Sequence, residues 1–186
     1  FEKKALPYSI LTRGYKSDYE ETGFILTKEN IKSSKNYIGD EPHLIFNHNN
    51  FQPDIIIGKK RSQMLEKYNE ITKQKKIVIM DDGFQHRKVK RNIDIVIIDL
   101  EELRKGLHLL PAGKWREPLS ALKRADFILC SNFSEEKNNL IAKIAHYNKN
   151  ISRISYKNSA IHNNIETISL DNIKTKKVLA FSGIGN

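Results

Sequence analysis

The sequence predicts an α/β fold in which a mostly parallel sheet carries helices on both faces. The apolar runs are short and rich in β-branched residues, as residues 76–80 (KIVIM) and 93–100 (IDIVIIDL) illustrate. Helical patterns separate several of these runs. Near-continuous apolar strands that alternate with helices are typical of a parallel sheet buried on both sides.

The predicted elements are seven strands and two helices. Strands are expected at residues 8–13, 53–58, 76–80, 93–100, 127–130, 151–156 and 177–181. Amphipathic helices are expected at residues 61–71 and 134–147, the second with Ser134 as its N-cap. The polar stretch 157–164 is expected to be a surface loop. We expect one core domain over residues 1–175, truncated at its N-terminal side, and a following segment or second domain beginning at 176–186.

Composition limits the classes of protein to consider. Thirty-two Lys and Arg residues against 22 Asp and Glu give a net charge of +10, which favours anionic partners such as nucleic acid, nucleotide phosphates or an acidic membrane face. The single cysteine, Cys130, cannot form an internal disulfide, which indicates a reducing compartment. No apolar run approaches the roughly 18 residues of a membrane span, and the histidines show no zinc-ligand spacing.

The strongest chemical signal is the segment 76–87 (KIVIMDDGFQHR), because ligands of open α/β sheets bind at the carboxyl ends of strands. A hydrophobic strand followed by aspartate has the form of a Walker B element, whose carboxylate holds Mg²⁺ directly or through water. Asp81 is therefore the candidate metal-side carboxylate, with Asp82 beside it. The same residues also suit an ordinary strand-to-turn segment.

A second acidic cluster is Gly39-Asp40-Glu41-Pro42, which we expect in a loop. Two adjacent carboxylates there can divide tasks, since one can orient or deprotonate a hydroxyl while the other binds a metal. A solvated acidic turn is the alternative interpretation.

Cationic residues follow several predicted strands. Arg13 at the end of the first strand is a candidate phosphate contact, and Arg116 beside Glu117 suits phosphate recognition by a guanidinium that a carboxylate orients. The basic runs 59–61 and 87–91 either flank one anionic site or form solvated faces.

Together these segments resemble the tetraacyldisaccharide 4′-kinase family of lipid A biosynthesis. The resemblance covers roughly residues 8–131, and Thr12 departs from the serine expected in most members. It is carried by ILTRGYK at 10–16, GDEP at 39–42, KKR at 59–61, DDGFQHR at 81–87 and LLPAGKWREPLSALKRAD at 109–126, and the closing FSGIGN also fits.

The resemblance implies a P-loop NTPase-like kinase that uses ATP and Mg²⁺. Its expected acceptor is the 4′-hydroxyl of a lipid disaccharide 1-phosphate at the cytoplasmic face of the bacterial inner membrane, where the protein is peripheral or N-terminally anchored. Neither nucleic acid nor an obligate protein partner is expected.

The resemblance also implies roles for individual residues. Asp40 is expected to prepare the attacking hydroxyl, and Glu41 and Asp81 are expected on the Mg²⁺ side. The remaining catalytic candidates are Asp82, His86, Arg116 and Glu117, and the candidates for substrate or phosphate contacts are Thr12, Arg13, Arg61 and Gln85.

No G-x-x-x-x-G-K-[ST] motif occurs in the 186 residues, although a P-loop kinase requires it. The resemblance places this motif upstream of Phe1 and a histidine partner of the catalytic aspartate beyond Asn186, so the chain by itself is expected to be inactive. The residues leave two other functions open. One is a P-loop enzyme or switch with a different acceptor, and the other is a basic nucleic-acid-binding α/β module.

Overall fold

The computed structural model describes residues 6–30, 36–48, 52–72, 74–155, 160–162 and 167–169. The chain divides into two compact units, residues 1–92 and 93–186, and each is considered by itself. The strand expected at 177–181 and the segment 176–186 lie outside the described residues. The single core domain expected over residues 1–175 stays a prediction.

The first unit is built on a four-stranded sheet in the order β2-β3-β1-β4. Its elements are β1 (Tyr8–Thr12), β2 (Phe24–Leu26), α1 (Asp40–His48), β3 (Asp54–Ile57), α2 (Arg61–Ile71) and β4 (Ile77–Met80). Strand β1 pairs in parallel with both β3 and β4, whereas β2 is antiparallel to β3 at the edge. The sheet is therefore mostly parallel, as the sequence predicts.

Helices cover both faces of this sheet. Successive side chains of a strand point to opposite faces, so neighbouring residues of β1 enter different cores. Ile10 belongs to the apolar cluster that includes Phe46 of α1. Leu11 belongs to a second cluster with Met64 and Tyr68 of α2. The predicted arrangement of helices on both faces is thus confirmed in this unit.

Helix α1 corrects the expectation that the second acidic cluster lies in a loop. The helix begins at Asp40, and the His43 amide donates to the Gly39 carbonyl over 3.1 Å. Three adjacent residues suit a first turn. The carboxylates of Asp40 and Glu41 interact favourably with the positive end of the helix dipole, and Pro42 lacks an amide hydrogen where none is needed. Both carboxylates consequently occupy a helix N-terminus.

The second unit contains a three-stranded parallel sheet in the order β5-β6-β7 and a two-stranded antiparallel ribbon of β8 and β9. Its elements are β5 (Ile95–Asp99), α3 (Leu100–Arg104), β6 (Phe127–Ser131), α4 (Asn138–Ala145), β7 (Ile151–Arg153), β8 (Ala160–His162) and β9 (Thr167–Ser169). Strand β8 lies within the stretch 157–164, which was expected to be a loop. That expectation is wrong for these three residues, because their backbone pairs with β9.

Two local predictions in the second unit also change. Strand β5 stops at Asp99 because this side chain accepts a hydrogen bond from the Glu101 amide and caps α3. The helix expected at 134–147 is a 3₁₀ turn, Glu135–Lys137, followed by α4. Ser134 occupies the N-cap position of that turn with an extended backbone, as expected, although its side chain makes no capping hydrogen bond. No helix in the described part of the chain combines the length and apolar character needed to cross a membrane.

Candidate active site

The carboxyl edge of the first unit's sheet brings several candidate residues together. Strands β1 and β4 end side by side, and the Asp81 amide donates to the Leu11 carbonyl over 2.9 Å. The buried Thr12 hydroxyl donates to Asp81 Oδ2 over 3.2 Å. From β3, the Gly58 amide donates to the Thr12 carbonyl over 3.1 Å. Three parallel strands thus converge where the sequence predicts a ligand site.

The turn that carries the paired aspartates is held by a buried arginine. Asp82 has a φ of 44°, in the left-handed region that few residues other than glycine adopt. Arg61, the first residue of α2, is only 5% exposed, and its Nη1 donates to the Asp82 carbonyl over 2.8 Å. One of the Arg61 amino groups shapes this turn, and the expected contact of Arg61 with phosphate or substrate stays a prediction.

His86 lies just beyond this turn and is half-buried. Burial, followed by the positive charges of Arg61, Arg91 and Lys88, holds the pKa of His86 below its usual value. The ring is therefore neutral at pH 7. Its Nε2 is buried and has no hydrogen-bond partner among the described residues, so a bound group could supply one. Neighbouring Gln85 is exposed.

The loop after β1 is fixed by Glu20. This carboxylate accepts from the Lys16 amide over 3.0 Å and from Arg13 Nε over 2.6 Å, and these two bonds lower the pKa of Glu20. Gly14 has a φ of 66°, and a Cβ there would lie 2.2 Å from Cγ2 of Ile57. The loop therefore packs so closely on β3 that it requires glycine at this position. Arg13, a predicted phosphate contact, is held at Nε by Glu20.

Asp40 is connected to the same loop through Tyr37. The Tyr37 hydroxyl donates to Asp40 Oδ1 over 2.6 Å. The Tyr37 amide donates to Asp18 Oδ2 over 2.8 Å, and the Asp18 amide donates to the Tyr37 carbonyl over 3.0 Å. Since Asp18 lies in the loop that follows β1, the N-terminus of α1 is anchored beside the loop that begins after Thr12. Glu41 is exposed in the first turn of α1.

Tyr37 is not among the residues predicted from the sequence to belong to the site. It is three residues before Asp40 in YIGDEP, and this spacing is the only signal in the sequence. A spacing of three residues predicts a side-chain contact when both residues lie in a helix. Tyr37 lies before the first residue of α1, so the spacing by itself does not predict its contact with Asp40.

Two further candidates lie in the second unit. Both oxygens of Glu117 accept from Arg124, at 2.9 Å from Nη1 and 3.0 Å from Nη2. Arg124 ends the 3₁₀ helix Leu119–Arg124 and is not among the site residues predicted from the sequence. This bidentate geometry fixes the Glu117 carboxylate in the plane of the guanidinium. Arg116, the predicted phosphate contact, is exposed.

The donor set at the sheet edge fits Mg²⁺ as a partly protein-bound ion. Nowhere in the described ranges do three or more His, Cys, Asp or Glu side chains group into a site that could hold a metal. Mg²⁺ in phosphoryl-transfer sites is held by one or two carboxylates together with waters and phosphate oxygens, so it does not need such a group. The exposed Asp81 carboxylate, oriented through Oδ2 by Thr12, supplies a ligand of the required kind.

The motifs and the geometry agree with a comparison against known families. The family model described as tetraacyldisaccharide-1-P 4′-kinase matches residues 1–186, the whole of the chain. The chain belongs to this family.

Curated members of the tetraacyldisaccharide 4′-kinase family align over nearly all of the chain. The Legionella pneumophila (strain Corby) kinase is 33% identical over 190 residues, which are 100% of this chain and 52% of the relative. The Aquifex aeolicus kinase is 30% identical over 183 residues, which are 95% of this chain and 54% of the relative. The chain thus spans about half the length of the curated relatives it matches.

A solved structure of a family member has the same fold. It is the crystal structure described as the "apo" form of LpxK from Aquifex aeolicus in complex with ATP. It matches with a TM-score of 0.67 and 26% identity, covering 95% of this chain and 53% of that one. The predicted α/β, P-loop NTPase-like fold class is thereby confirmed.

Proposed function

We propose that the protein acts as a tetraacyldisaccharide 4′-kinase, which transfers the γ-phosphate of ATP to the 4′-hydroxyl of a lipid disaccharide 1-phosphate. The observation that carries this proposal is that Asp81 and Asp40 are both tied by hydrogen bonds to the segment formed by the end of β1 and the loop that follows it. Asp81 contacts Thr12 before that loop, and Asp40 is linked to Asp18 within it through Tyr37. The family match over the whole chain supplies the substrate class.

Asp40 is the residue that we assign to the acceptor hydroxyl. Phosphoryl transfer depends on positioning and charge neutralisation, and a carboxylate that accepts the hydroxyl proton holds the nucleophile in line. Asp40 is exposed at the N-terminus of α1, where substrate can reach it. Tyr37 occupies Oδ1, which leaves Oδ2 for the acceptor hydroxyl.

Asp81 and Glu41 are the residues that we assign to Mg²⁺. When bound, the ion neutralises charge on the ATP phosphates. Thr12 orients the Asp81 carboxylate, and Arg61 holds the Asp82 turn beside it. Arg13, Gln85, His86, Arg116 and Glu117 complete the proposed contacts to phosphate and substrate.

We further propose that the protein acts at the cytoplasmic face of the inner membrane, without nucleic acid or an obligate protein partner. The net charge of +10 supports this location. A basic residue close to an anionic lipid surface contributes about 1 kcal/mol to membrane binding.

Phosphate transfer from labelled ATP to the lipid disaccharide 1-phosphate tests the proposal in the intact protein that contains this chain. Asp40→Asn and Asp81→Asn should each lower turnover at least about a hundredfold, because losing one contact to developing charge costs about 3 kcal/mol. Glu66→Gln, an exposed position on α2, is the matched control and should leave turnover unchanged.

Three outcomes would contradict the proposal. Wild-type turnover in both aspartate variants would remove the assigned roles. Preferred transfer to soluble hydroxyl compounds would indicate a P-loop enzyme with another acceptor. Salt-sensitive affinity for RNA that exceeds the affinity for the lipid would indicate a nucleic-acid-binding module.

A further inference from the structure

The contact between Tyr37 and Asp40 joins an exposed tyrosine to the carboxylate assigned to the acceptor hydroxyl. The oxygen–oxygen distance of 2.6 Å is typical of a hydrogen bond from a hydroxyl to a charged acceptor. Tyr37 is 48% exposed, so packing of its ring does not explain where its hydroxyl lies. Within the described ranges, the hydrogen bond to Asp40 is the specific interaction that this side chain makes.

The backbone of Tyr37 is held at both its amide and its carbonyl. Its amide donates to Asp18 Oδ2, and its carbonyl accepts from the Asp18 amide. The next residue, Ile38, is buried in the apolar cluster of β1 and α1. This anchoring fixes where the tyrosine side chain begins, and the start of α1 fixes where Asp40 begins.

We propose that Tyr37 is a positioning residue that fixes the rotation of the Asp40 carboxylate and presents Oδ2 to the acceptor hydroxyl. The inference rests on the proposed function, because it concerns the role of Asp40. Among the described residues, Tyr37 is the side chain that hydrogen-bonds the exposed Asp40 carboxylate, and each unproductive rotation of that carboxylate would remove the nucleophile from its in-line position. A single hydrogen bond to Oδ1 selects the productive rotation.

Tyr37 is suited to this task because it remains a donor. The hydrogen bond to Asp40, together with burial and the negative charge of that carboxylate, raises the pKa of Tyr37 above its usual value of 10.0. The hydroxyl therefore keeps its proton throughout the neutral range.

Steady-state kinetics of Tyr37→Phe in the intact protein test the inference. Loss of a hydrogen bond to a charged group should lower kcat about tenfold and leave the KM for ATP unchanged. Tyr147→Phe, in the second unit, is the matched control and should behave as wild type. In an Asp40→Asn background, Tyr37→Phe should cause no further loss, because residues that act through one another are not additive.

A second measurement detects the hydrogen bond between Tyr37 and Asp40 without relying on kinase activity. The pKa of Tyr37, read by NMR with site-specific tyrosine labelling, should fall toward 10.0 in Asp40→Asn. An unchanged Tyr37 pKa, an unchanged kcat in Tyr37→Phe, or a parallel rise in the KM for ATP would overturn the inference. If Asp40→Asn itself keeps wild-type turnover, the proposed function fails instead, which separates the two outcomes.

Discussion

The Thr12 hydroxyl donates to Asp81 Oδ2 and joins the carboxyl ends of β1 and β4 through side chains as well as backbone. Thr12 is 5% exposed, whereas the Asp81 carboxylate is solvent-accessible. A buried hydroxyl on a rigid strand therefore orients an exposed carboxylate. This relationship gives Thr12 a role in shaping the metal side of the site, and direct contact of Thr12 with phosphate stays a prediction.

Removing only the hydroxyl of Thr12 tests this relationship. Thr12→Val keeps the shape of the side chain but loses the hydrogen bond, so turnover should fall about tenfold and require more Mg²⁺. Thr12→Ser keeps the donor and should retain most of the activity. Kinetics over a range of Mg²⁺ concentrations measure both effects, and equal behaviour of the two variants would refute the role of the hydroxyl.

Replacing Arg61 should destabilise the fold, because its guanidinium is buried against the Asp82 carbonyl. Arg61→Met preserves much of the side-chain length and should lower the free energy of unfolding by about 2 kcal/mol, the cost of leaving a carbonyl without its charged donor. The neighbouring exposed Lys60 provides the control variant Lys60→Met. Urea unfolding followed by circular dichroism measures the difference, and equal midpoints for the two variants would contradict the prediction.

His86 should make stability depend on pH. The folded protein lowers the pKa of His86 below 6.5, so the unfolded chain binds its proton more readily. Above the unfolded pKa of His86 the free energy of unfolding keeps its full value. As pH falls toward the folded pKa, the unfolded chain takes up the proton first and the free energy of unfolding decreases. Between about pH 7.5 and about pH 5, wild type should lose more unfolding free energy than His86→Gln.

Thermal unfolding at each pH measures this effect. His108→Gln, at an exposed position of the second unit, is the control and should follow the wild-type curve. A curve for His86→Gln as steep as that of wild type would show that His86 does not carry the pH dependence.

The Glu117–Arg124 pair should be stronger than an ordinary surface pair. Its two side chains are 21% and 32% exposed and form two parallel hydrogen bonds. A double-mutant cycle with Glu117→Gln and Arg124→Met should give a coupling free energy of about 1 kcal/mol. The more exposed Glu101–Arg104 pair on α3 is the comparison and should give a smaller coupling, because solvent screens it more strongly. Equal couplings would contradict the argument from geometry.

Local pattern was sufficient to predict the framework of this protein. The strand around residues 77–80 and the helix at 61–71 follow from apolar periodicity, and both occur within one residue of the prediction. Placement of Asp81 at a sheet edge also follows, because parallel strands end together. Because periodicity depends only on residues that are close in the chain, it can be recognised without knowledge of the fold.

The loop expected at residues 39–42 was wrong, because α1 begins at Asp40. GDEP contains a glycine and a proline, which favour a turn, yet its acidic residues and proline also suit the first turn of a helix. Burial of Phe46 and Ile38 against β1 favours the helix, and that burial depends on the assembled sheet.

The partners of the site residues were decided by tertiary structure. Arg61 reaches a carbonyl 21 residues away, and Thr12 meets an aspartate 69 residues away. Asp18, 19 residues before Tyr37, accepts a hydrogen bond from the Tyr37 amide and so holds Tyr37 beside Asp40. Such contacts depend on which strands are neighbours and where each loop returns to the sheet. The residues available for chemistry can therefore be read from the chain, whereas the orientation of each reactive group follows from packing between distant segments.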